Sequence, residues 1–160
     1  MIKRIIRSLA LLLSFPFILC GCNQEDDVLE IFNSGVWNFV NYYTQIDWSA
    51  SNDMHAVPEY KNMSDLNEIC KFTIKFESDG TFTGNLLSGG TYSGKWEAHP
   101  EDRSFMVIGD VTSNIKLTGK NHEFITRLKA CRFYRGDSKM MLRLAPESKT
   151  TCLQFTHRKN

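Results

Sequence analysis

From residue 69 onward the chain runs in period two. Cys70, Phe72, Ile74 and Phe76 alternate with Lys71, Thr73 and Lys75, a spacing that sends one set to each face of a β-strand. Turn signals cut the pattern at short intervals. Ser78-Asp79-Gly80 ends the first strand, since Asp-Gly supplies the positive φ that a two-residue hairpin loop needs. Thr81 to Leu87 returns with Phe82 inward, and Ser88-Gly89-Gly90 turns again. Thr91 to Ala98 then carries Tyr92 and Trp96 on alternate sites around Gly94. Past His99-Pro100-Glu101-Asp102, Phe105 to Val111 is rich in β-branched and aromatic residues. Cys131 to Tyr134, Lys139 to Leu144 and Thr151 to Phe155 complete the series, broken by Gly136-Asp137 and Pro146-Glu147-Ser148. Upstream, Ser34 to Tyr43 alternates enough for a strand, with Trp37 and Phe39 on one face. About eight short strands joined this way remove their open edges by closing on themselves. The expected fold is mainly β: an antiparallel, up-and-down β-barrel with one inserted α-helix.

The helix is expected to start at Asn121, whose side chain can cap it, with Glu123 in the first turn where the helix dipole favours a negative charge. Phe124, Ile125 and Leu128 make its apolar stripe, with Arg127 and Lys129 outward. Residues 46–68 break the alternation with Ser, Asn, Asp and Pro. They read as a long Ω-like loop with a short helical turn at Asp65-Leu66-Asn67-Glu68; loops of that length are often functional.

The start of the chain follows different rules. Met1 to Arg7 is basic, Ser8 to Ile18 is apolar and interrupted by Pro16, and Leu19-Cys20-Gly21-Cys22 follows. The apolar stretch is too short for easy spanning of a bilayer, which suits a signal peptide. Leu-x-Gly-Cys resembles a lipobox. That resemblance implies cleavage before Cys22 and lipidation of Cys22, and two or more acyl chains anchor stably. The chain thus divides into a signal peptide at 1–21, a lipidated cysteine with an acidic tether at 22–33, and a barrel domain at 34–160. Asn23-Gln24-Glu25-Asp26-Asp27 resembles the acidic export signal of Bacteroides-type lipoproteins. The expected location is the outer membrane, at the cell surface or the periplasmic face, with the membrane as a partner through the lipid.

Charge excludes one class. The chain of 160 residues has 19 Lys and Arg against 18 Asp and Glu. Loss of Lys3, Arg4 and Arg7 with the leader leaves the mature protein at about −2, so no nucleic-acid partner is expected.

The order of these pieces resembles the META domain, also called HslJ-like. The resemblance rests on Gly35-Val36-Trp37, on Phe76 to Gly84 with its Asp79-Gly80 turn, and on Thr91 to Trp96. The segment from Ile108 to Leu128 and the strands Leu142-Arg143-Leu144 and Leu153-Gln154-Phe155 extend it. Where that family often has Cys-Asn, this chain has Ser88-Gly89. A broader group of small lipocalin-like anchored barrels fits as well. Both imply a β-barrel and neither implies a reaction.

Side chains that could carry chemistry are accounted for locally. His55, His99, His122 and His157 fall in loops or at element ends and read as solvated. Asp79 and Asp137 belong to turns. Cys70, Cys131 and Cys152 form no CxxC and no Cys/His cluster, and read as buried thiols with at most one disulfide. No cofactor, no metal and no enzymatic activity are expected. The binding candidates are Trp48, in the long loop, and Leu86, Leu87, Ser88, Gly89, Gly90 and Thr91. Two functions compete. One is a non-enzymatic binding module for a protein partner or a small apolar ligand. The other is an inhibitor of secreted cysteine proteinases resembling the staphostatins, which needs the 86–91 loop exposed and extended.

Overall fold

The computed structural model describes residues 24–50, 53–137 and 139–157. The leader and Cys22 lie outside them. Nine strands form one antiparallel sheet: β1 (Val36–Thr44), β2 (Val57–Pro58), β3 (Thr73–Phe76), β4 (Thr81–Asn85), β5 (Thr91–His99), β6 (Ser104–Ser113), β7 (Cys131–Gly136), β8 (Met141–Pro146) and β9 (Thr151–Thr156). The order is β2-β1-β3-β4-β5-β6-β7-β8-β9, and β1 also pairs with β9. That last pairing closes eight strands into a barrel, with β2 as a short ninth strand outside the ring.

Closure leaves a lumen that side chains must fill. Period two supplies Trp37, Phe39, Ile74, Phe76, Phe82, Leu142, Leu144 and Phe155, none of them measurably exposed except Phe76 at 1%. Two helices complete the filling. In α3 (Gly119–Ala130) the stripe Phe124, Ile125 and Leu128 is buried. The Phe124 ring stacks on Phe72 at 4.5 Å and meets Phe39 edge-on at 5.3 Å and Tyr92 at 5.9 Å. In α1 (Gln24–Phe32) Val28 and Phe32, one turn apart, are buried. Phe32 stacks on Trp96 at 4.6 Å and on Phe105 at 5.6 Å, and meets Phe76 and Tyr134 edge-on at 4.9 and 5.1 Å. Tyr92 and Trp96 both lie on β5, one turned to Phe124 and the other to Phe32. The two helices therefore plug opposite ends of the barrel.

Three expectations change here. The stretch from Gln24 to Phe32 is a helix docked into the core through Val28 and Phe32, where a solvated tether was expected. The late helix starts at Gly119 after Thr118, and Asn121 sits inside it. The Asn121 side chain is buried, and its Oδ1 accepts the Leu87 backbone N–H at 2.9 Å, so it ties a loop down and caps nothing. Finally, the irregular segment after β1 contains β2 and α2 (Met63–Ile69), capped by the Asn62 side chain, which accepts from the Asp65 N–H at 2.8 Å.

That segment is strapped to the barrel. Asn41 stands at a break in the β1–β9 register. Its carboxamide bonds both backbone groups of Tyr60, donating at 2.7 Å and accepting at 3.1 Å. Arg127 on α3 makes a two-pronged pair with Glu59 at 2.7 and 2.9 Å and a third contact with Glu123 at 2.8 Å. Lys120 holds Asp65 at 2.7 Å and also Glu68.

Candidate functional site

With the lumen occupied by aromatic rings, the surface available for recognition is the outer one, and one hollow on it follows from strand register. Between Ser93 and Lys95, β5 spends one residue, Gly94, where β6 spends three, Gly109 to Val111. Gly109 takes φ +66, a left-handed conformation that glycine adopts without steric cost. A bulge of this kind bends its strand and increases the local twist. On the outer face beside it lies an open trough of about 630 Å³.

Register lines up what the trough offers. Val36, Lys75, Thr83, Ser93 and Thr112 stand opposite one another across β1, β3, β4, β5 and β6. A second row runs beside it: Thr73, then Asn85 opposite Thr91, with Asn114 just past the end of β6. Thr83, Ser93 and Thr112 are shared with a neighbouring hollow of about 510 Å³ that carries one charge of each sign, Lys95 and Asp110.

Some of these polar groups serve the fold. Ser93 and Thr112 hydroxyls bond each other at 2.9 Å, Thr73 Oγ1 accepts the Asn85 N–H at 3.1 Å, and Asn114 Oδ1 accepts the Thr91 N–H at 2.7 Å. The side chains of Thr83, Asn85 and Thr91 make no hydrogen bond among the described residues. They line the trough as donors and acceptors free for solvent or a ligand. The one charge in this trough, Lys75, is balanced by Glu77 at 2.7 Å. Beneath the floor, Gly84 lets the Tyr92 ring pass: a Cβ there would lie 2.1 Å from the Thr73 oxygen and 2.4 Å from that ring. The Tyr92 hydroxyl uses the passage to donate to Thr73 O at 2.8 Å.

The residues nominated from sequence fall in different places. Thr91 lines the trough. Leu86, Leu87 and Gly90 are buried, while Ser88, Gly89 and Thr91 are exposed. Ser88 takes φ +59 in a tight turn, held against α3 by Asn121. Trp48, the candidate in the long loop, is half-buried. It packs against the small cluster of Ile46, Ala145 and Cys152, and its carbonyl accepts from Arg135 at 2.6 Å. Cys22 lies outside the described residues. Thr83, Asn85, Ser93, Thr112 and Asn114 were missed. Their signal is the outward half of the alternation, unusually rich in hydroxyl and amide side chains on three successive strands.

Elsewhere, shifted titrations follow from the fold. Burial pushes the Cys131 thiol up and the Cys152 thiol up to about 12; with the half-buried Cys70, all three are free thiols. Burial also raises Tyr42 and Tyr92. Bonds from Thr81 and Ser104 hold Asp79 and Asp102 below the usual carboxylate range. One histidine departs from expectation. His157 is half-buried and stacks on Trp37 at 3.7 Å, with its ring nitrogens bonded to Val36 O at 3.0 Å and Ser34 Oγ at 2.9 Å.

Residues 23–157 match the family described as a domain of unknown function, DUF4847. The chain belongs to the DUF4847 family. A solved DUF4847 family protein from Bacteroides vulgatus ATCC 8482 is 36% identical, with a TM-score of 0.72 over 83% of this chain and 99% of that one. No curated protein matches the chain. Membership in DUF4847 corrects the META resemblance. The short motifs behind it, Gly-x-Trp, Asp-Gly and Leu-x-Leu, are strand starts, hairpin turns and inward faces that small closed barrels share whatever their descent. The DUF4847 match begins at residue 23, so α1 lies within the family domain.

Proposed function

We propose that this DUF4847 protein is a lipoprotein of the outer membrane or cell surface, acylated at Cys22, whose barrel is a non-enzymatic binding module that uses its outer trough. The observation that carries the reading is the contrast between a lumen filled by aromatic rings and an outer hollow in which three polar side chains, Thr83, Asn85 and Thr91, are left unbonded by the fold among the described residues. A packed lumen favours a ligand taken at the surface over a small apolar one taken inside. Three things support the anchor: the basic and apolar leader, the Leu19-x-Gly21-Cys22 ending, and an acidic run of the kind that directs Bacteroides-type lipoproteins outward. The non-enzymatic reading draws support from titratable groups whose shifts are explained by turns, burial and ion pairs, where a catalytic site would show a group tuned for proton transfer. The staphostatin-like alternative gains nothing from the 86–91 loop, whose leucines are packed inward.

Metabolic labelling with a palmitate analogue tests the anchor. The native chain should carry label in the outer-membrane fraction, and Cys22→Ala should lose it; label that persists in the variant removes the lipoprotein reading. Capture from the cell envelope with the mature lipoprotein tests recognition. A partner retained equally by the native chain and by Thr83→Val/Asn85→Ala excludes the trough as the binding surface.

A further inference from the structure

We infer that the trough binds an extended chain of neutral, β-linked hexopyranose units lying across the strands; this deepens the reading of the trough as the module's binding surface. Three observations carry it. The first is chemical. Thr83, Asn85 and Thr91 each present a group that both donates and accepts hydrogen bonds, with the Ser93–Thr112 hydroxyl pair beside them. Sugar hydroxyls have the same dual character, whereas carboxylates and phosphates only accept. Lys75 is already neutralised by Glu77, so the trough selects no anion.

The second is geometric. The row Val36, Lys75, Thr83, Ser93, Thr112 places one side chain on each of five adjacent strands. Neighbouring strands lie about 4.8 Å apart, close to the advance per residue of an extended β1→4-linked pyranose chain. Each strand can therefore meet one sugar. Val36, 47% exposed, sits at one end as an apolar contact for a pyranose C–H face. The trough's 630 Å³ falls within the roughly 300–1,000 Å³ of small-ligand sites.

The third removes the competing occupant. A peptide that adds to a sheet needs unpaired backbone N–H and C=O groups. Here β3, β4 and β5 are each paired to both neighbours, and β6, which meets β7 only at Ser104, stands at one end of the trough, so along its middle only side chains face the ligand.

The test is calorimetric titration of the mature lipoprotein in detergent with cellohexaose, and with maltohexaose, which has the same units and number of hydroxyls but a curved α-linked chain. Binding of cellohexaose at least tenfold tighter than maltohexaose is expected, with at least a tenfold loss in Thr83→Val/Asn85→Ala at unchanged melting temperature. Equal affinity for the two, unchanged affinity in the variant, or no heat with cellohexaose at millimolar concentration overturns the inference. Capture from the envelope separates the two levels. If neither hexaose binds but the variant loses an envelope partner, the ligand class is wrong and the trough remains a binding surface. If the variant also keeps that partner, both readings fall.

Discussion

Two tryptophans of this core show how little residue type alone decides. Trp96 donates its indole N–H to Thr81 O at 3.0 Å and Glu77 O at 3.3 Å, so the ring both fills the lumen and staples the β3–β4 hairpin. The Trp37 indole N–H is equally buried and has no partner among the described residues. Replacement by Phe removes similar volume from both but breaks hydrogen bonds only at Trp96. Trp96→Phe should therefore cost more than Trp37→Phe, by about 1 kcal/mol, in chemical denaturation of the two variants; equal costs would mean the Trp96 bonds contribute nothing net. The turn carboxylates offer a second residue-scale prediction. Asp79 and Asp102 are held below the usual carboxylate range by hydrogen bonds from Thr81 and Ser104. A depressed carboxyl stabilises the fold above its ordinary pKa, about 3.9, and that contribution vanishes as pH falls through the lower folded-state value. Melting temperature should hold from pH 7 to 5 and drop below pH 4. The drop should be shallower in Asp79→Asn/Asp102→Asn, because Asn keeps the turn geometry without the charge. Parallel profiles would assign the acid loss elsewhere.

At the scale of elements, the strands were legible because burial on one face imposes period two: each of the eight strands of the ring overlaps an expected one, although β3 starts only at Thr73, since Cys70, expected within it, closes α2. The plug helix was not. Its buried stripe is only Val28 and Phe32, and the acidic run before it has the composition of a solvated segment; the decisive contact, Phe32 among Phe76, Trp96, Phe105 and Tyr134, spans more than a hundred residues. The strap between β1 and β3 was hidden for a similar reason. Its hold comes from Asn41 on β1 and from Arg127 and Lys120 on α3, each distant in sequence from the residue it grips. The trough was half legible: the Thr, Ser and Asn positions are plain in the outward register, but the bulge beside it, three residues of β6 against one of β5, is set by pairing between strands. The strap makes its own prediction. Arg127 and Glu59 are each about a third exposed, so a double-mutant cycle should give a coupling of no more than about 1 kcal/mol, weakening with added salt. A coupling several times larger and insensitive to salt would show the pair to be desolvated.

On the scale of the whole molecule, stability rests on a lumen sealed from two ends, and the α1 end depends chiefly on one side chain. Phe32→Ala should cost ~3–5 kcal/mol and open the barrel to an apolar dye such as ANS, while leaving β1 to β9 paired by circular dichroism. An unchanged melting temperature would mean that α1 rests on the barrel without plugging it. The same plug sets how the molecule answers to being pulled. On the proposed reading of a lipid-anchored binding module, tension would enter at Gln24 and reach the barrel through the packing of Val28 and Phe32, before any paired strand end is loaded. Side-chain packing over a nine-residue helix yields at lower force than β1, which is laced to β3 and β9 along its length. Stretching should therefore release a short length of chain first, with the closed ring surviving to a second, higher rupture. On that reading the helix would act as a slip joint between anchor and ligand, lengthening the leash under strain while the grip on what it carries stays whole.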